Sequence, residues 1–302
     1  MANLSRRRFI QLVAACSATT AMPLTAKALL AAKPQMVTWQ GQALGAEATL
    51  SLAHENHAFA QKVIQDCLRE INRLESIFSL YREDSQISKL NHHKQLVHPA
   101  PELVEVIESA IQFGEQSDGL FDVTIQPLWQ LYHQHFLKEG ADPVGPPAEE
   151  IHRMLVSVDY RQIDVSAREI SLKPDMAMTL NGIAQGYITD RIAAKLKQHG
   201  FENALINLGE YRAIGSHPHA RPWKVGIAEP SHPWKIAKQM DVPAGKALAS
   251  SGGYGTQWSD KAHHLLSPKT GYPVKAAKGL VTVIADTAME ADALATIESL
   301  SA

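Results

Sequence analysis

The stretch Asn181-Gly182-Ile183-Ala184-Gln185-Gly186-Tyr187-Ile188-Thr189-Asp190, continued to Gly200 and followed by Ala204-Leu205-Ile206-Asn207-Leu208, decides the fold. Apolar residues at helical spacing run from Asn181 and stop at Gly200, a residue suited to the left-handed cap that ends a helix. Past Gly200 the pattern turns into short apolar runs of strand type, expected at 204–208, 223–227, 248–250, 263–266 and 280–285. A last helix is expected from about Met289 to Ser299. Upstream, helical spacing covers about 56–79 and 101–117, the second opened by Pro99-Ala100-Pro101. A polar, proline-rich loop from Glu139 to Pro147 leads to a short helix ending near Val156. Helices followed by a run of strands favour an α+β fold over a doubly wound parallel sheet: one domain, with an antiparallel sheet and packed helices. Neither an internal repeat nor a domain linker interrupts it.

Composition agrees with a globular chain: 302 residues, 45% hydrophobic and 20% charged, which excludes disordered and collagen-like classes. A chain of this length buries roughly 75% of its unfolded surface and needs no disulfide staples. Basic and acidic residues number 29 and 31, so there is no electrostatic case for a nucleic-acid partner. The cysteines, Cys16 and Cys67, form no CxxC. Cys67 falls on the apolar face of the 56–79 helix and reads as core filler.

The first residues do not read as part of the fold. Ser5-Arg6-Arg7-Arg8-Phe9-Ile10-Gln11 matches a twin-arginine export signature; an interrupted apolar run and Ala26-Lys27-Ala28 follow. Residues 1–28 are therefore expected to be a signal peptide, residues 33–302 the domain, and the periplasm its location. Loss of residues 1–28 removes four basic and no acidic residues, leaving 25 against 31. Val13-Ala14-Ala15-Cys16 also resembles a lipoprotein box, a weaker reading because it leaves a very short apolar region. The twin-arginine route carries folded proteins, often with a cofactor in place.

The familiar catalytic signatures are absent: no GxSxG, HExxH, GxGxxG or Walker loop occurs. What stands out is polar residues set among small ones. Asp292 and Thr296 lie four apart on the last helix and share a face, where two oxygens suit a hard cation such as Mg²⁺. A helix-dipole acid and a threonine bonded back to its own chain explain the pair equally well. The glycines of 179–187 let a ligand approach a helix N-terminus, although an Asn181 cap and close packing at Gly186 account for them too. A third cluster holds Ser250-Ser251-Gly252-Gly253-Tyr254-Gly255 and His263-His264-Leu265-Leu266-Ser267-Pro268-Lys269-Thr270-Gly271, a strand entering a turn.

In this order, these segments resemble the ApbE-type flavin transferases, the FAD:protein FMN transferases, from about residue 36 onward. The matching blocks are 78–91, Asp118-Gly119-Leu120-Phe121-Asp122-Val123-Thr124-Ile125-Gln126-Pro127-Leu128, 182–190, Asn207-Leu208-Gly209-Glu210-Tyr211-Arg212, 264–271 and 291–296. The resemblance implies a single ApbE/T-fold-like domain and a Mg²⁺-dependent transfer of FMN from FAD to a threonine hydroxyl of an acceptor protein, with release of AMP. It implies Asp292, Thr296 and the Gly182 carbonyl as metal ligands. Leu44, Tyr81, Leu120, Phe121, Asp122, Thr179, Gln185 and Leu266 match FAD-contacting positions, and Asn91 a polar position near the site. His264 matches the acid–base histidine, with Asp292 its partner in catalysis through the metal. The implied acceptor is a flavoprotein, a membrane-associated redox subunit facing the periplasm, which allows a peripheral membrane association.

The chain departs from the family at Thr179 (Asp in many members), Gln185 (Lys or Glu), Ser267 (Asp) and Gly209-Glu210, one glycine short. It stops six residues past Thr296, where relatives continue. Two other readings stay open: a pyrophosphatase splitting FAD into FMN and AMP, and a non-catalytic flavin-binding or assembly protein.

Overall fold

The structure is a computed structural model that describes residues 34–229, 232–274 and 279–301. The twin-arginine stretch and Cys16 lie outside the described residues. The first described element is a hairpin of β1 (Gln35–Ala43) and β2 (Ala46–His54). Leu44 and Gly45 turn it with φ of 53° and 73°, the pair of positive φ values that matches strand twist in a two-residue turn. Glu75 accepts a 2.6 Å hydrogen bond from the Leu44 amide, which ties this turn to helix α1 (His57–Phe78). Asn56 caps that helix, and Ala60, Val63, Ile64, Cys67, Ile71, Leu74 and Phe78 form its buried stripe. Cys67 is core filler as expected, and burial pushes its thiol up to about 12.

A helical layer follows, made of α2 (Gln86–His93), α3 (Pro101–Gln116), α4 (Gln126–Phe136) and α5 (Ala148–Leu155). A small sheet lies within it, with β5 (Glu169–Ser171) between β3 (Gln95–Val97) and β4 (Asp164–Val165). Helix α6 (Ala184–Gln198) then leads through Gly200, at φ 82°, into the strand half: β6 (Ala204–Asn207), β7 (Tyr211–Ile214), β8 (Trp223–Glu229), β9 (His232–Val242), β10 (Ala247–Ser251) and β11 (Val281–Ala285). Helix α7 (Ala288–Leu300) closes the described chain. The main sheet has the order β1-β2-β6-β7-β10-β11 and is antiparallel throughout.

Side chains alternate across this sheet, and the alternation assigns each face a cover. Leu50, Leu52, Ala204, Ile206 and Ile214 face α1 and α6 in the main core. Leu205, Tyr211, Ala213 and Leu248 face the other way, under the β8–β9 hairpin and its Trp223, Val225 and Val242. Ala247, Ala249 and Ala285 meet Ala288, Ala291 and Ala295, so α7 lies close on β10 and β11.

The antiparallel α+β architecture expected from the sequence is present. The expected strand at 263–266 is not. There the chain makes only isolated bridges, Gln257 with His263 and Leu266 with Pro273, around the tight 267–271 turn. Helix α6 starts at Ala184 rather than Asn181; Ile183 is the cap residue, and Asn181 contributes no capping side chain.

Candidate active site

The candidate site lies where the N-terminus of α6 meets α7. Its approach is set by Asn91 on α2, whose amide nitrogen donates to Met178 O at 2.8 Å while its oxygen accepts from Met178 N at 2.7 Å. The next residue, Thr179, donates its amide to Val123 O at 2.8 Å. The 118–124 loop is thereby fixed beside the start of α6. Asn91 thus acts on the site through the backbone of 178–179, with both ends of its side chain engaged.

Gly182 sits against Thr296 and Phe121. A Cβ there would fall 3.0 Å from Thr296 Oγ1 and 3.4 Å from Phe121 Cε2. Gly186, two residues into α6, touches α7 directly: a Cβ would lie 2.3 Å from Ala288 O. At that closeness the Gly186 N–H donates to Asp292 Oδ2 at 3.1 Å. Asp292 therefore sits at the N-terminus of α6, where the exposed amides favour an anion. It does not serve its own helix, whose first amide bonds go to Asp190. That residue accepts from Ala288 N at 3.0 Å and Met289 N at 2.9 Å, and Arg212 Nε lies 3.3 Å from it.

Asp292 is 6% exposed and Glu210, in the turn between β6 and β7, is 7% exposed. Burial pushes both carboxyls up, and the Asp292 charge pushes Glu210 further. Neither is paired with a basic side chain among the described residues. Glu210 Oε2 is buried without a hydrogen bond, and among the described residues none reaches Thr296 Oγ1 or Asp292 Oδ1. Thr296 is thus not bonded back to its own helix. Asp292 and Thr296 lie one turn apart on α7, and Gly182 packs on Thr296; Mg²⁺ takes one or two carboxylates and completes its shell with water or phosphate oxygens. Among the described residues no group of three His, Cys, Asp or Glu gathers that could hold a metal ion.

The remaining candidates surround this centre. Gln185 reaches toward Leu208 O at 3.5 Å and packs on Gly209, where a Cβ would lie 2.7 Å from its Nε2. Asp122 is largely spent within the fold: one oxygen accepts from Thr124 N and Oγ1, the other from Tyr160 N. Leu120 is half-buried, Phe121 is buried with its ring edge-on to Phe113, and Tyr81 presents 73% of its surface to solvent. Leu266 is buried with Leu128, Tyr132 and Ile151, which anchors the 263–271 segment. Lys269 reaches back to Asp118 at 2.6 Å and joins that turn to the 118–124 loop.

The adjacent histidines differ. His263 bonds Val274 O through Nε2 at 3.0 Å and accepts from Leu265 N on Nδ1 at 3.2 Å; burial holds its pKa down. His264 Nδ1 stands 3.1 Å from Thr256 N and 3.3 Å from Thr256 O, and its ring lies against Gly255. Reading the sequence for ligands overlooks Glu210, Asp190 and Arg212. An acid and a base in an otherwise apolar strand run were the available signals.

Solved structures share this arrangement of elements. The flavin transferase ApbE from Vibrio cholerae superposes with a TM-score of 0.74 at 25% identity, covering 87% of this chain and 86% of that one. The ApbE protein from Thermotoga maritima gives 0.75 at 28% identity, with 87% and 86% covered. By sequence, the FAD:protein FMN transferase of Haemophilus influenzae is 28% identical over 246 residues, 77% of this chain and 70% of that protein. That of Vibrio cholerae is 29% identical over 244 residues, 78% and 71% respectively. The ApbE family profile matches residues 44–300, from the Leu44 turn to the last residue of α7, and so takes in every site segment described: the chain belongs to the ApbE family.

Proposed function

We propose that this protein transfers FMN from FAD to a threonine hydroxyl of an acceptor protein with the help of Mg²⁺, releasing AMP. The observation that carries the reading is the meeting of Asp292, Thr296 and Gly182 at the N-terminus of α6, beside Phe121. That place combines helix amides with uncompensated oxygens, and so suits a diphosphate held with a cation. Mg²⁺ bound there would neutralise charge on the phosphates as the phosphoanhydride bond breaks. Asp292, Thr296 and the Gly182 carbonyl would hold it, and Glu210 lies beside them.

Tyr81 and Leu120 offer apolar surface for the flavin, the buried Phe121 and Leu266 hold the segments around it, and Leu44, Thr179 and Gln185 would line the approach. His264 is the base in this reading. The imidazole would accept the hydroxyl proton as the oxygen attacks phosphorus, with Nδ1 held beside the Thr256 N–H and carbonyl. The acceptor is proposed to be a flavoprotein subunit of a membrane redox complex, met in the periplasm.

Incubation of the protein with FAD, Mg²⁺ and an acceptor domain tests this reading. Mass spectrometry should find FMN esterified to a threonine, with one AMP per flavin transferred. FMN released free in solution would select the pyrophosphatase, and unchanged FAD the binding protein.

A further inference from the structure

Glu210 is the one buried carboxylate facing the site to which the proposed reaction gives no task. On β7, Tyr211 and Ala213 point into the core under the β8–β9 hairpin, whereas Ile214 belongs to the opposite face. Arg212 confirms that face, since it reaches Asp190 of α6 and the Asp286 carbonyl just before α7. Glu210, in the turn just before β7, lies buried where the Asp292 carboxylate acts on it. Register brings it toward β10, where Tyr211 pairs with Leu248. On the facing helix, Asp292 lies on the stripe that includes Ala288, Ala291 and Ala295, the residues packed on the sheet.

Two acids thus face each other across an alanine-lined contact, each nine-tenths or more buried and neither paired with a basic group among the described residues. Such an arrangement is costly unless a proton or cation occupies it. Asp292 has an amide partner in Gly186; Glu210 Oε2 has none.

We propose that Glu210 supplies a further oxygen to the cation held by Asp292 and Thr296, directly or through one of its waters. Oε2, buried and without a hydrogen bond among the described residues, is the oxygen it would offer. The sheet, and not only the two helices, then grips the ion. This inference rests on the cation reading of the site, and the following test separates the two.

Mn²⁺ binding to the purified full chain is measured by electron paramagnetic resonance, with and without FAD, for wild type, Glu210→Gln, Glu210→Asp and Asp292→Asn. Glu210→Gln keeps the shape but loses the charge. It should weaken Mn²⁺ by roughly 10–100-fold, the usual loss when a metal site's supporting oxygen is removed. Glu210→Asp, which withdraws the carboxylate by one methylene, should weaken it less and keeps the test available if the glutamine variant folds poorly. Wild-type affinity in both Glu210 variants, with Asp292→Asn weakened, would overturn the role of Glu210 and leave the cation site standing. Unaltered affinity in Asp292→Asn, or no Mn²⁺ binding by wild type under either condition, would overturn both.

Discussion

His263 holds two backbone bonds at once, and each fixes part of the 263–274 segment. Protonation of Nδ1 would place a hydrogen against the Leu265 N–H, so the fold favours the neutral ring, in line with its lowered pKa. A histidine whose folded pKa lies below its unfolded value contributes stability that is present above about pH 6.5 and lost as pH falls through the folded value. Thermal midpoints measured from pH 7.5 to 5 should therefore converge between wild type and His263→Gln; parallel curves would contradict the coupling. His264 differs, because its Nδ1 is placed between a donor and an acceptor of one residue, Thr256. His264→Ala should keep flavin binding while FMN transfer falls by about 10²–10⁴-fold, the usual cost of losing a general base. His263→Ala should lower the thermal midpoint and leave the rate of the folded enzyme within a few-fold. Single-turnover transfer and a melting curve read both variants; equal transfer in wild type and His264→Ala would remove the base.

Helices α6 and α7 function as a pair because Gly186 permits backbone contact at Ala288 and so brings its own amide to Asp292. Asp190 then grips the first turn of α7, and Arg212 completes that grip from the sheet. Gly186→Ala should part the helices. Overpacking of this kind costs roughly 1–3 kcal/mol or more, and the lost Asp292 contact should raise the Mg²⁺ needed for half-maximal transfer. Urea unfolding and a Mg²⁺ titration check the two effects; wild-type values in both would show that the helices are not held by this contact. At this scale the sequence was readable where periodicity was long, as in α1, α3 and α6. It was less so for β1 and β2, whose first residues Gln35-Met36-Val37-Thr38-Trp39-Gln40 carry a half-exposed edge pattern, and for α2 and α4, which are short. The 263–266 run misled because Leu266 is buried over α4 and α5 and Leu265 against Val274 and Leu300, by a turn and without a neighbouring strand.

Across the whole molecule, the candidate site is assembled from distant parts of the chain. Asn91 meets Met178 at a separation of 87 residues, Gly186 meets Asp292 at 106, and Asp118 meets Lys269 at 151. Motif blocks contained Glu210, Asp190 and Arg212 too but gave them no role, because their places come from sheet register and helix packing, which no local spacing encodes. Contacts this far apart close late, since loop closure must be met before they contribute. The site therefore exists only in a chain that has folded through to α7. Export of a finished fold suits such a protein, and the twin arginines at Arg6 and Arg7 match the signal of that route. Replacing both by Lys should leave the precursor in the cytoplasm with residues 1–28 attached, folded and able to bind FAD after purification. Fractionation with immunoblotting, followed by flavin binding on the retained material, reads the outcome. Normal appearance of the processed protein in the periplasm would refute the route. Retained material that is unfolded and degraded would instead mean that folding does not precede export.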